Sequence, residues 1–303
     1  MVVSRYHEHP VVFDCHGTEL MGIVATPESP GLHHTGVVIL VGGPQYRVGS
    51  HRQFTLLCRH LAEHGIPSIR FDYHGLGDSD GAPALGVDGV EDDLRAAIDA
   101  LTLAVPTLTG VVLWGLCGAA SASALYAPAD ARVRGLVMLN PWVRTEEGLA
   151  KARLRHYYLG RLGDREFWGR IARGEVAVAA ALRAFGASVV KAAGWGRSDD
   201  NAASTQAIAG GLAEQAPGSG SLPERMLASL LRTRLPTLVI LSGETDLTAN
   251  EFRQVAGGSA AWRRWMASAG VECHEIEGSN HTFSRTDWRD HVVDLTTRWV
   301  RAR

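Results

Sequence analysis

Eight short apolar runs, most of them separated by stretches of helical periodicity, organise this chain. Val11–Asp14 and Glu19–Thr26 flank C-H-G-T and predict an opening antiparallel hairpin. Six further runs follow: Val37–Val41, Ser68–Asp72, Val111–Trp114, Gly135–Asn140, Thr237–Ser242 and Val271–Ile276. They are largely apolar, as strands covered on both faces are. Between them apolar residues recur at three- and four-residue spacing. Phe54, Leu57 and Leu61 form one face, ended by Gly65, and Val90, Leu94, Ala97, Ile98 and Leu101 form another. Trp288, Val292, Leu295 and Trp299 repeat the pattern after the last run. Such alternation predicts an α/β domain with an eight-stranded, mostly parallel sheet flanked by helices.

The alternation is interrupted once, over residues 143–234, where no convincing β run occurs. This stretch reads as a helical cap inserted into a core made of residues 1–142 and 235–303. Its first part, K-A-R-L-R-H-Y-Y-L-G-R-L-G-D-R-E-F-W-G-R from Lys151, places arginines among Leu, Tyr, Phe and Trp at helical spacing. That pattern fits a solvated helix face, or a basic rim suited to an anionic substrate such as a CoA or carrier-protein thioester. Ser198–Ser221, rich in Ser, Ala, Gly, Asn and Gln, reads as a linker or lid loop.

Composition narrows the class. With 303 residues, 46% hydrophobic and 20% charged, the chain is of ordinary globular type. A net charge of -2 offers no global attraction to nucleic acid. No apolar stretch reaches the ~20 residues of a membrane span, and the N-terminus lacks the signature of a secretion signal, so a cytoplasmic location is expected. Cys15, Cys58, Cys117 and Cys273 lie far apart without C-x-x-C spacing. Neither a disulfide nor a metal site is expected, and no cofactor.

Chemistry concentrates at V-V-L-W-G-L-C-G-A, Val111–Ala119. A buried strand turning sharply into a helix holds its central residue strained and projecting, with small residues two positions away on either side, here Gly115 and Ala119. The apex is Cys117, whose thiolate would attack an acyl carbonyl to give a thioester. The seventh strand runs into E-T-D-L-T, offering Glu244 and Asp246; the second has two more residues in which to turn toward a base. The eighth ends in E-G-S-N-H-T-F, placing His281 where a general base belongs, whereas His274 reads as a packed strand residue and His33 and His34 as loop residues. The order Cys117, Asp246, His281 matches nucleophile, acid and histidine in α/β-hydrolases. The oxyanion donors would be the N–H of Gly118 and that of Gly43 in V-G-G-P-Q-Y-R, with Gln45 in reserve. Trp142, Tyr157 and Tyr158 are candidates to line an acyl pocket. The loop F-D-Y-H-G-L-G-D-S-D-G lacks the endings of a phosphate or dinucleotide cradle, so Asp72, Gly75, Gly77 and Ser79 read as a structural turn.

Together with the elbow, the motifs D-Y-H-G-L-G-D-S-D-G, L-N-P-W-V-R-T-E, R-H-Y-Y-L, S-G-E-T-D-L-T-A-N-E-F and N-H-T-F-S, in that order, resemble the exosortase A system-associated hydrolase 1 family. That family lies within the serine aminopeptidase-like α/β-hydrolases. The resemblance spans nearly the whole chain. It implies Cys117 as nucleophile, Asp246 as acid and His281 as base, in a bacterial setting linked to exopolysaccharide and protein sorting. It also implies an acidic residue after the cysteine, where Gly118 stands. The expected function is hydrolysis of acyl esters or thioesters through acyl-Cys117. The rival is acyl transfer to an alcohol or amine, as the likeness to polyhydroxyalkanoate synthases and dienelactone hydrolases implies. A non-catalytic binding protein is the remaining reading. No acidic pair that would anchor a peptide amine stands out in the cap, which argues against peptidase activity.

Overall fold

The computed structural model describes residues 6–28, 34–43, 45–83, 87, 89–144 and 220–303. Eight strands form one sheet: β1 (Tyr6–Cys15), β2 (Thr18–Pro27), β3 (Thr35–Leu40), β4 (Ser68–Phe71), β5 (Gly110–Leu116), β6 (Val133–Leu139), β7 (Thr237–Ser242) and β8 (Val271–Ile276). Their order is β1-β2-β4-β3-β5-β6-β7-β8. The hairpin β1–β2 is antiparallel and meets β4 antiparallel, while every later pairing is parallel. Strands β3 to β7 are almost wholly buried, which their continuous apolar runs foretold.

The hairpin is longer than the apolar pattern indicated, since its register runs from Cys15 opposite Thr18 out to Tyr6 opposite Pro27. Its far half carries H-E-H-P, whose polar side chains give no burial signal at the sheet edge. The turn at His16 and Gly17 takes positive φ at both residues, as a two-residue hairpin requires.

Helices α1 (Gln53–Glu63), α2 (Glu91–Ala104), α3 (Gly118–Tyr126), α4 (Leu222–Thr233), α5 (Leu247–Gly258), α6 (Ala260–Met266) and α7 (Thr286–Arg301) accompany the sheet. Helix α1 buries Phe54, Leu57 and Leu61 and packs with α7, which buries Val292, Leu295 and Trp299. Trp114 of β5 joins the two: its ring meets Phe54 edge-on at 5.6 Å and its indole N–H donates to Thr296 Oγ1 at 3.3 Å. Helix α4 begins with a capping box between Ser221 and Glu224 and packs on α3, where Ser229 Oγ donates to the Ala124 carbonyl. The chain divides into two compact units, Met1–Val143 with Ala207–Arg303, and Arg144–Gln206. Among the described residues no helix is long and apolar enough to cross a membrane.

Candidate active site

Strand β5 delivers Cys117 directly. All seven of its residues are buried, and the chain then turns at Cys117 with φ 60 and ψ -122 before entering α3 at Gly118. A side chain is strained in that conformation by ~1–3 kcal/mol. The surroundings enforce it: Cys117 N donates to the Leu139 carbonyl at 2.8 Å, and Trp142 N donates to the Cys117 carbonyl at 3.3 Å. Close backbone approach accounts for the small residues. A Cβ on Gly115 would lie 2.5 Å from the Ala119 carbonyl carbon, and one on Gly42 would lie 2.4 Å from the Leu116 carbonyl oxygen. The loop after β3 therefore rests against the elbow. Gly43 follows with φ 67, and the buried Gln45 Oε1 has no hydrogen-bond partner. Cys117 itself is half-buried at the N-terminus of α3, where the helix dipole favours negative charge.

The acid and the histidine come from two loops that are fastened together. Gly243 N donates to the Ser279 carbonyl at 3.1 Å, and a Cβ on Gly243 would lie 2.8 Å from Gly278 N. Asp246 caps α5 by accepting from Thr248 N at 3.1 Å with Oδ1, which leaves Oδ2 for His281 Nδ1 at 3.0 Å. The other neighbour of the His281 ring is the Cys117 thiol, which acts on it electrostatically. Glu244 is exposed and offers its backbone carbonyl to Asn250.

Electrostatics follows from this wiring. Burial alone would lower the His281 pKa, but the hydrogen bond and charge of Asp246, with the neighbouring Cys117, outweigh it. The imidazole is pushed up to about 10. Burial likewise disfavours the Asp246 carboxylate, yet hydrogen bonds from His281 and Ser242 hold its carboxyl below the ordinary range.

Two supporting residues escaped the sequence analysis. Asn140, at the end of β6, is fully buried with φ 41; its amide donates to the His281 carbonyl at 3.0 Å and accepts from Ser242 N at 2.8 Å. Ser242 Oγ in turn donates to Asp246 Oδ2 at 2.6 Å, the same oxygen that faces His281. A polar residue closing an apolar strand was the available signal, since a buried asparagine must have partners.

The remaining expectations distribute as follows. Trp142 is half-buried beside the elbow, its carbonyl accepting from Ser121 Oγ at 2.5 Å. Tyr157, Tyr158, His33, the arginine-rich segment and nearly all of the Ser198–Ser221 stretch lie outside the described residues. Asp72 is fully buried and binds Arg47 and Asp78 N, while Ser79 Oγ donates to the Asp72 carbonyl at 2.7 Å, so that loop is a cross-braced turn. His274 is in β8 but half-exposed and 2.6 Å from Glu272, because β8 is an edge strand and one side of it faces water.

Comparison with known proteins places this geometry. Residues 33–165 match the family described as serine aminopeptidase, S33. No curated protein matches the sequence. Among solved structures, an esterase of Pyrococcus furiosus is 14% identical with a TM-score of 0.63, covering 98% of this chain and 91% of that one. A hypothetical protein of Pseudomonas aeruginosa is 18% identical with a TM-score of 0.60, covering 100% and 95%. A dienelactone hydrolase of Anabaena variabilis is 13% identical with a TM-score of 0.56, covering 98% of each chain. The fold is that of the α/β-hydrolases. The matched family is serine-type by its description, and this chain has cysteine at the elbow.

Proposed function

From an α/β-hydrolase fold with cysteine at its elbow, we propose a hydrolase that cleaves acyl esters or thioesters through an acyl-Cys117 intermediate. The observation that carries this reading is the position of His281, hydrogen-bonded to Asp246 and within electrostatic reach of Cys117. With the imidazole pushed up to about 10, His281 holds its proton at neutral pH and faces the Cys117 sulfur as an imidazolium. The thiolate attacks the acyl carbonyl, and the oxyanion is received by the N–H of Gly118, with Gly43 or Gln45 as second donor. The imidazolium then protonates the departing alkoxide or thiolate. Once neutral, His281 takes a proton from the water that resolves the acyl-enzyme. Asp246 fixes the ring tautomer throughout.

Substrate choice is assigned in part to Trp142, beside the elbow, while Tyr157, Tyr158 and the arginine-rich segment proposed to receive an anionic CoA or carrier-protein moiety lie outside the described residues. A cytoplasmic enzyme of the exosortase-associated type fits this reading. The alternative acceptor, an alcohol or amine in place of water, uses the same triad. Intact mass spectrometry with acyl thioesters and aryl esters tests the proposal. Wild type is expected to gain an acyl mass and release free acid, and Cys117→Ala to do neither. Acid release undiminished in Cys117→Ala would sink it, while an adduct that persists until an alcohol or amine is added would identify acyl transfer.

A further inference from the structure

A second cysteine, histidine and aspartate meet away from the elbow. Cys15 ends β1, His74 lies in the loop after β4, and Asp93 is the third residue of α2. Cys15 and Asp93 are each 3% exposed, and His74 is half-buried. Cys15 Sγ is 3.6 Å from Asp93 Oδ1, and His74 Nδ1 hydrogen-bonds to that same oxygen. His74 N donates to Asp93 Oδ2 at 2.9 Å, fixing the carboxylate plane. One donor atom from each of the three side chains lies within 4.8 Å of the others.

The residue types are those of a cation site, and the sulfur–oxygen spacing fits one. Zinc bonds of ~2.3 Å to sulfur and ~2.1 Å to oxygen, opened to the tetrahedral angle, set sulfur and oxygen ~3.6 Å apart. That is the Cys15–Asp93 separation. Without a cation, an S–H and a ring N–H both donate to one carboxylate oxygen in a buried setting. A divalent cation replaces both contacts with three bonds, and the main-chain N–H of His74 supplies the outer support that holds a ligating carboxylate in place.

We propose that Cys15, His74 and Asp93 form a zinc-type divalent-cation site, with Sγ, Nδ1 and a carboxylate oxygen as ligands and water completing the tetrahedron. On binding, the Cys15 S–H bond breaks, its proton passes to solvent and the sulfur–metal bond forms. His74 contributes its Nδ1 lone pair with its proton kept on Nε2, and Asp93 remains an anion. The bound unit is neutral. Its ring must swing outward, since His74 Nδ1 now sits nearer Asp93 than the ~3.3 Å nitrogen–oxygen separation of a tetrahedral site. The site ties the end of β1 and the β4 loop to α2.

Cobalt(II) titration of the full-length, chelator-treated protein tests this directly, because a cysteine ligand produces a thiolate-to-cobalt charge-transfer band in the near ultraviolet. The expected result is saturation at one equivalent, displacement by zinc and a zinc-dependent rise in Tm, all retained in Cys117→Ala. The band is expected to vanish in Cys15→Ser, and affinity to fall ~10–100-fold in His74→Ala, whose half-exposed position tolerates the change. No band in wild type, or a band that survives Cys15→Ser and disappears in Cys117→Ala, would overturn the proposal. Because the Cys117→Ala protein lacks the elbow thiol, the outcome is independent of the hydrolase reading.

Discussion

At Cys117 the imidazole stands between the sulfur and the carboxylate, whereas at Cys15 the carboxylate stands between the sulfur and the imidazole. Both groups contain the same three residue types. In the first arrangement both partners favour a protonated ring, beside a sulfur at the half-exposed N-terminus of a helix. In the second the sulfur faces a carboxylate, and burial together with the Asp93 charge and hydrogen bond pushes the Cys15 thiol up to about 12. Connectivity thus separates a sulfur that faces an imidazolium from a thiol that faces a carboxylate.

The largest contrast is expected in turnover. Cys117→Ala should lower kcat by ~10³-fold or more, and His281→Ala similarly, since members of such a unit fail together. Cys15→Ala should leave kcat within ~3-fold. Equal losses at both cysteines would erase the distinction. Alkylation at neutral pH should read the same contrast without a substrate. After chelation, a thiol at about 12 has a negligible thiolate fraction, so iodoacetamide should modify Cys117 at least ~100-fold faster than Cys15. Peptide mass mapping distinguishes the two sites.

A smaller effect is expected at Asn140. Asn140→Ala removes the donor to the His281 carbonyl and the acceptor for Ser242 at once, so kcat should fall ~10-fold with KM little changed. Stability should fall by ~1–3 kcal/mol, because Ser242 N is left buried and unpaired. A change in KM alone would show that the network does not position the base. The pH response should follow from the raised His281 pKa. Its folded value of about 10 lies above the ordinary 6.5, so the stabilising contribution is complete below 6.5 and is lost as pH rises toward 10. Thermal denaturation of His281→Gln should lack this alkaline slope. Turnover should decline over the approach to pH 10, as the leaving group loses its acid.

Much of this molecule was legible in one dimension. The buried strands carry unbroken apolar runs, and Cys117, Asp246 and His281 each follow a strand, so their positions at strand ends could be read from spacing. What failed to show had no spacing to read. Asn140 and Ser242 act across 102 residues, and nothing local marks them except a polar side chain where a strand ends. The polar half of β1 carries no burial signal because it is an edge. Cys15, His74 and Asp93 approach one another only because hairpin, β4 loop and α2 converge, so a search for closely spaced cysteines excludes the site that folding assembles.

The smallest expected effect tests the strain that distinguishes the two cysteines. Cys117 holds φ 60 and ψ -122, a conformation that opposes any Cβ, whereas Cys15 closes a regular strand. Glycine at 117 removes ~1–3 kcal/mol of strain and restores ~0.5–1 kcal/mol of unfolded-chain entropy, besides giving up the contacts of a half-buried thiol. The balance predicts stabilisation of ~1 kcal/mol, or a rise of ~2 °C in Tm, for Cys117→Gly. Cys117→Ala keeps the Cβ and should show no gain. Cys15→Gly, which relieves nothing and empties a buried position, should lower Tm. A gain in Cys117→Gly paired with a loss in Cys15→Gly would identify the elbow as a place where stability is given up to present a sulfur. Equal losses at the two positions would mean that the turn at 117 stores no strain and that the reactivity of its thiol rests on its hydrogen-bonded partners alone.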